Sequence, residues 1–286
     1  MTRVFLFPGQ GSQKVGMGSD LFDRFPQQVS EADAILGYSI RELCLEDPRE
    51  ELSKTQFTQP ALYTVNALSF LALMEAGESK PDYCLGHSLG EYDALFASEC
   101  FSFGDGLKLV KRRGELMAEA PVGAMIAVLK MPIERIQEIL DEHGLDLVDV
   151  ANLNSPGQVV LSGPVEAIES ADKVLSEAKA RVIRLNVSGA FHSRLMKGPQ
   201  DQFRDAVDAM NFSAPQIPVI SNVEAEPYSE GQVGELLIRQ LASSVRWTES
   251  IAWILTRDPE AEFVEVGPGK VLTGLARQIK AGFQSS

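Results

Sequence analysis

Gly86-His87-Ser88-Leu89-Gly90-Glu91-Tyr92 follows the apolar Tyr83-Cys84-Leu85 and leads into Ala94-Leu95-Phe96-Ala97. The stretch therefore reads as a buried strand, a very tight turn and the first turn of a helix. Ser88 stands at the apex, with a glycine two residues before it and another two residues after it. This is the G-x-S-x-G pattern of a nucleophile elbow, where small flanking residues let backbone pack close beneath a strained serine. The strain pushes the hydroxyl clear of the sheet edge, and the helix that starts there aims N–H groups at developing negative charge. A lone G-x-S-x-G also describes ordinary turns, so the surrounding chain has to decide.

With 286 residues, 44% of them hydrophobic, the chain is long enough for one large domain or a domain carrying a smaller insert. Met1 to Phe7 is apolar for too few residues to be a signal segment, and Pro8-Gly9 interrupts it. No run approaches a membrane span, and the expectation is a cytoplasmic protein without a membrane partner. Cys44, Cys84 and Cys100 lack metal-ligand spacing and suit reduced core thiols, so neither a metal nor a disulfide is expected. A net charge of −14, spread along helices, argues against nucleic acid as a partner. An anionic substrate would need a local cation, which singles out the cluster Lys108, Lys111, Arg112 and Arg113; the plain alternative for each member is a solvated helix face.

Outward from the elbow, Val4 to Phe7 predicts a buried strand ended by Pro8-Gly9-Gln10-Gly11-Ser12-Gln13, a loop with exposed N–H groups that leads to a helix near Met17 to Phe22. Helical periodicity runs through Val29 to Leu43, and Phe57-Thr58-Gln59-Pro60 opens a long helix. Phe103 to Glu119 is an amphipathic helix. Then the pattern shortens: strand Met125–Leu129, helix Pro132–His143, strands Leu147–Ala151 and Gln158–Ser162, helix Val165–Ala178 and strand Arg181–Val187. That βαββαβ order is ferredoxin-like. It reads as an insertion, because strands resume at Ile217–Ile220 and Phe263–Val266, and a cleft between the two parts is the expected site.

A serine nucleophile needs a base, and the chain offers only His87, His143 and His192. His143 ends a helix before Gly144, and the His87 side chain should point away from the serine's face. His192, in Gly189-Ala190-Phe191-His192-Ser193, lies where the chain crosses back into the large part, and is the candidate base; a core histidine satisfied by backbone is the alternative. An oxyanion hole would take the N–H of Leu89 and that of Gln10, although Gln10 also suits an ordinary connecting turn.

Seven stretches now occur in one order: Phe7-Pro8-Gly9-Gln10-Gly11-Ser12-Gln13, Thr58-Gln59-Pro60-Ala61, the elbow, Arg113-Gly114, Asn154-Ser155-Pro156-Gly157-Gln158, Phe191-His192-Ser193 and Glu265-Val266-Gly267-Pro268-Gly269. Across essentially the whole chain this resembles the malonyl-CoA:acyl-carrier-protein transacylases. Leu36-Gly37-Tyr38-Ser39-Ile40, Ala151-Asn152-Leu153-Asn154 and Ser188-Gly189-Ala190-Phe191-His192-Ser193-Arg194 are most similar to the free-standing acyltransferases of trans-acyltransferase polyketide synthases.

The resemblance implies an α/β fold: a large α/β-hydrolase-like subdomain with a parallel sheet core (1–122 and 189–286) and an inserted ferredoxin-like subdomain (123–188). It implies ping-pong transfer of malonyl from malonyl-CoA through Ser88 to the phosphopantetheine thiol of an acyl carrier protein. His192 would be the base, Gln10 and Leu89 the oxyanion hole, Arg113 the clamp on the malonyl carboxylate, and Gln240 a backbone carbonyl that orients His192. A helix-surface amide remains the other reading of Gln240. Gln59 and Asn154 are further cleft candidates, Asn154 also suiting a turn, and Phe191 would limit room beside C2 and so favour malonyl over methylmalonyl. Coenzyme A thioester is substrate here, not cofactor, and a monomer is expected. The same reaction in fatty-acid synthesis is the close alternative, and acyl hydrolysis on a carrier protein the alternative in another reaction class. Lys270, Arg277 and Lys280, or Arg181 and Arg184, could meet an acidic carrier.

Overall fold

The computed structural model describes residues 1–187 and 189–284. Its strands are β1 (Arg3–Phe7), β2 (Tyr83–Gly86), β3 (Ala124–Leu129), β4 (Asp149–Ser155), β5 (Gln158–Gly163), β6 (Arg181–Arg184), β7 (Val219–Ile220) and β8 (Glu262–Glu265). They form a parallel sheet in the order β7-β2-β1-β8 and an antiparallel sheet in the order β4-β5-β3-β6. No helix among the described residues is long and apolar enough to cross a membrane.

Strand β1 explains why the large sheet is parallel and central. Its side chains alternate between two cores: Phe5 and Phe7 face one that includes Leu62, Val65 and Leu68 of the helix Thr55–Glu75, while Val4 and Leu6 face Ile251, Leu272 and Leu275. Burial on both faces is what a strand covered by helices above and below requires. Phe7 pairs with Gly86, so β1 and β2 end level and their following loops lie side by side. Ligands bind at such carboxyl ends of parallel strands.

The antiparallel sheet divides its faces in the same way. Ile126, Val128, Val159 and Leu161 pack on Ile136, Ile139, Ile168 and Leu175 of the helices Ile133–Glu142 and Val165–Glu177. Met125, Ala127, Ala151 and Val160 turn the other way and join the main core. One face thus makes a separate core with those helices, and the other packs into the main core. The link is also polar, because Leu153 N donates to Val245 O at 2.9 Å and Val245 N to Ala151 O at 2.9 Å.

Several expectations need correction. Met17 to Phe22 is a series of turns, not a helix: Gly16 (φ 88°) and Gly18 (φ 75°) hold left-handed conformations that cannot propagate one, although Met17, Leu21 and Phe22 are still buried. The segment expected to be helical from Val29 to Leu43 is broken at Gly37 (φ 83°) into Pro26–Leu36 and Ile40–Leu45. Pro60 lies inside the helix Thr55–Glu75 instead of opening it. Strand β4 runs further than expected, to Ser155, because its second half is tied to the large part. Strand β6 stops at Arg184, which frees Leu185 and Val187 to line the cleft described below. Ser188, the last residue of the expected insert, lies outside the described residues.

Candidate active site

Ser88 has φ 51°, a left-handed conformation that is costly for any residue with a side chain and typical of a nucleophile elbow. Its glycines are sterically obligatory. A Cβ on Gly86 would stand 1.9 Å from the Gly90 carbonyl, and one on Gly90 would stand 2.0 Å from the Phe7 carbonyl oxygen. The helix Gly90–Ala97 can therefore sit directly on the ends of β1 and β2 only without those methyl groups. Asn222, just after β7, secures the turn: Ser88 N donates to its Oδ1 (2.8 Å) and its Nδ2 donates to Gly86 O (2.7 Å).

His192 Nε2 lies 2.7 Å from Ser88 Oγ. On the far side of the ring, Nδ1 faces two carbonyl oxygens, those of Gln240 (2.9 Å) and Ser243 (3.1 Å). Two acceptors there place the proton on Nδ1 and leave the Nε2 lone pair directed at the serine. Burial, with the Arg113 charge adding to it, lowers the His192 pKa to about 3, so the ring is neutral and able to accept a proton. His192 also has a left-handed backbone, with φ 58°.

Arg113 is 1% exposed. Its Nη1 donates to Gln59 Oε1 (2.8 Å), and its Nη2 to Gln240 Oε1 (2.9 Å) and Ser88 Oγ (3.1 Å). The guanidinium lies 5.5 Å from the Tyr92 ring centre. Its hydrogen bonds thus go to two neutral amides and the serine, and none to a carboxylate. The rest of the basic cluster behaves less uniformly than expected: Lys108 and Arg112 make exposed ion pairs, whereas Lys111 caps a helix end by donating to Ile35 O at 2.9 Å.

These groups line a cleft of about 100 Å³, completed by Gln10, Leu89, Met117, Phe191 and, from the antiparallel sheet and its exit, Met125, Asn152, Leu185 and Val187. A cleft of that size has room for a small acyl head. A larger open groove of about 600 Å³ runs past Lys14, Arg24, Ser69 and Pro268, but it has no paired nucleophile and base; chemistry, not volume, selects the site. Among the described residues, neither Gln10 N nor Leu89 N is spent on a protein acceptor, so both are available to an anion in the cleft.

Most of the residues singled out from sequence meet here. Asn154 does not: Asn152 reaches the cleft, while Asn154 Oδ1 lies 2.7 Å from Nε2 of His87, a residue that itself borders the cleft and whose ring packs against Trp247. His143 caps its helix, with Nδ1 on Ile139 O at 2.8 Å. Gln240 is wholly buried and not a surface amide, and its side chain contributes as well as its carbonyl. Sequence reading missed Glu91, Asn222 and Ser243. Glu91 had a signal, a charged residue between Gly90 and the apolar Tyr92. Asn222 follows a buried strand at the ligand-binding sheet edge, whereas Ser243 contributes only backbone and leaves no trace in side-chain pattern.

A nucleophilic serine, a carbonyl-oriented histidine, two available amides and a buried cation in a small cleft are the parts of an acyl-transfer site. The model of the acyl transferase domain matches residues 4–285. The chain belongs to the acyl transferase domain family. This acyl transferase domain is 51% identical over 279 residues to the polyketide biosynthesis malonyl CoA-acyl carrier protein transacylase PksC of Bacillus subtilis (strain 168), covering 97% of this chain and 96% of that one. Against the malonyl CoA-acyl carrier protein transacylase of the same organism the identity is 43% over 287 residues, covering 96% and 90%. The crystal structure of a malonyl CoA-acyl carrier protein transacylase from Burkholderia pseudomallei superposes with a TM-score of 0.96 at 51% identity, covering 98% of each chain.

The elbow is held from beneath by a second buried pair. Asn66 Nδ2 donates to Pro8 O (2.9 Å), in the loop that carries Gln10, and to Asp93 Oδ2 (2.9 Å) on the elbow helix. Asn66 Oδ1 and Asp93 Oδ1 are buried without a donor. Burial pushes the Asp93 carboxyl well above its usual range, which favours the neutral acid. Asp93→Asn, neutral and isosteric, is therefore expected to fold and turn over like the wild type. Asp93→Ala should lose about 1–3 kcal/mol in urea unfolding. A loss in Asp93→Asn as large as in Asp93→Ala would mean that the carboxylate is ionised.

Proposed function

We propose that this chain transfers malonyl from malonyl-CoA to the phosphopantetheine thiol of an acyl carrier protein, in trans for a polyketide synthase. The observation that carries the substrate reading is Arg113, a buried guanidinium 3.1 Å from Ser88 Oγ whose only partners are neutral. A buried cation with no carboxylate in hydrogen-bond contact is costly, Glu91 reaching it only across the Gln240 amide, and an acyl group that brings its own carboxylate lowers that cost by bidentate pairing. A hydrolase of neutral acyl chains has no use for such a group.

In the first half-reaction His192 Nε2 takes the Ser88 proton as Oγ attacks the thioester carbon. The N–H groups of Gln10 and Leu89 hold the oxyanion, and the departing coenzyme A sulfur receives the proton from His192 as the malonyl ester forms. In the second half-reaction the carrier thiol gives its proton to His192 and attacks the ester, returning Ser88 to its hydroxyl form. The Gln240 carbonyl at Nδ1 keeps the ring in the required tautomer, so no acidic third member is needed. Gln59 orients Arg113, and Asn154 acts on the site only through His87.

Residues 1–122 and 189–286 would form the α/β-hydrolase-like subdomain, and 123–188 the ferredoxin-like insert, consistent with the β4-β5-β3-β6 sheet order. The polyketide setting is supported by the 51% identity to PksC against 43% to its counterpart from the same organism. The proposal has a cytoplasmic monomer without cofactor or metal, and with neither nucleic acid nor membrane as a partner; the charge of −14 fits that choice.

Intact-mass spectrometry after incubation with a panel of acyl-CoAs, with and without carrier protein, tests the reading. A malonyl adduct that moves to the carrier is expected; an adduct that is only hydrolysed, or loading of neutral acyl groups alone, would overturn it. Phe191, 6% exposed, borders the cleft. Phe191→Ala should raise methylmalonyl loading relative to malonyl by about ten- to a hundredfold, the value of one methyl group in a tight pocket. An unchanged ratio in the same assay would remove Phe191 from the selectivity role.

A further inference from the structure

One buried acid takes no direct part in the mechanism above, yet it touches the residues that hold the mechanism together. Glu91, wholly buried, lies in the first turn of the elbow helix, where the dipole favours a negative charge. Its Oε1 accepts from Asn222 N (2.9 Å) and from the Tyr228 hydroxyl (2.6 Å), and its Oε2 accepts from Gln240 Nε2. The Gln240 amide is shared further: Nε2 also donates to Ser88 O (2.8 Å), and Oε1 accepts from Arg113 Nη2 (2.9 Å). Its main-chain carbonyl takes His192 Nδ1.

We propose that Glu91 is a positioning residue which, through the side chain of Gln240, sets both the base His192 and the guanidinium of Arg113. A carboxylate offers acceptors only, so Gln240 must turn its NH2 toward Glu91 and its oxygen toward Arg113. With Asn222 N and Tyr228 holding Oε1, a glutamine at 91 would have to put its own NH2 opposite that of Gln240. One amide then flips or both withdraw, and a flipped Gln240 presents NH2 to the guanidinium. The acid absent from the histidine thus stands one residue further out, where it orients instead of sharing charge with the base. It is also the geometric reason that a long, flexible glutamine serves at position 240.

The test is a cycle of Glu91→Gln, Gln240→Ala and the double variant, read as the rate of self-acylation with whichever acyl-CoA the wild type loads. The malonyl assignment is judged separately, by the wild type's own spectrum of adducts, so the two can fail independently; the proposal rests on that reading only for the identity of the acyl group. In the wild-type background Glu91→Gln is expected to slow loading about tenfold, and in Gln240→Ala about twofold or less, the coupling of residues in one network. Equal losses in the two backgrounds would overturn the proposal.

Should Glu91→Gln not fold, Tyr228→Phe answers the same question. Burial raises the Glu91 pKa to about 7, while Tyr228, Asn222, Gln240 and the Arg113 charge oppose the rise; Tyr92 and Tyr228 are the other titratable side chains that face it. Below that value Glu91 is protonated and ceases to be an acceptor only. Loss of the tyrosine hydroxyl should move the acid limb of the loading rate to higher pH, with the rate at pH 8.5 nearly kept. An acid limb that stays in place would show that Glu91 does not govern the site.

Discussion

Ser88→Ala is expected to eliminate covalent acyl loading and to lower transfer to carrier by roughly 10⁴- to 10⁶-fold, with the fold and melting temperature retained. The size follows from the arrangement. Ser88 Oγ meets the His192 lone pair at 2.7 Å and a guanidinium nitrogen at 3.1 Å, in the cleft that Gln10 and Leu89 also line. Alanine can still adopt the turn, because Gly86 and Gly90 carry the steric burden. The methyl group leaves nothing to form an ester, and any residual transfer would have to come from direct thiol attack in the oxyanion site. His192→Ala should cost nearly as much, and the double variant little more than either alone, since nucleophile and base act as a unit. An adduct that persists in Ser88→Ala by intact mass would sink the serine assignment. Because His192 is held near 3, its own protonation should impose no acid limb between pH 5 and 8; an ordinary histidine would impose one near pH 6.5.

Arg113→Ala is expected to invert selectivity. Malonyl loading should fall by about 10²- to 10³-fold, the loss of a charge-assisted bidentate pair in a site shielded from water. Acetyl loading should hold or rise, for two physical reasons. Removing the side chain opens a cleft of about 100 Å³ to a neutral acyl group. It also removes the positive charge that adds to burial in lowering the His192 pKa, so the base becomes stronger toward the serine. In the proposed pairing the malonyl carboxylate would neutralise the same charge, so that substrate would improve its own base. Parallel losses for malonyl and acetyl would take Arg113 out of the carboxylate role. Arg113→Lys should not restore malonyl loading fully, because an ammonium cannot make two parallel hydrogen bonds.

Much of the chemistry was legible along the chain because it sits on motifs with local geometry. G-x-S-x-G marks the elbow whatever the remaining contacts are, and with three histidines in the chain the search for a base was short. The βαββαβ order of the small unit was legible too, since alternation and helical period differ over even short segments. Turns rich in glycine misled the reading: Met17 to Phe22 is as apolar as a helix face, but Gly16 and Gly18 take conformations that composition does not show.

What the amino-acid sequence determined by itself, then, is the type of each reactive group: a serine on an elbow, a histidine at a crossing point, one arginine in a helix. Which partners those groups take was decided only by the tertiary structure. Arg113 and Gln240 are far apart in the chain, as are Ser88 and Asn222 and Glu91 and Tyr228, yet each pair is hydrogen-bonded. The same holds for the choice of Asn152 over Asn154 at the cleft and for the Ser243 carbonyl at His192. Such choices depend on the direction of a side chain or the placement of a peptide group at the end of a strand. Packing across distant segments sets those directions, and no local pattern of residue types encodes them.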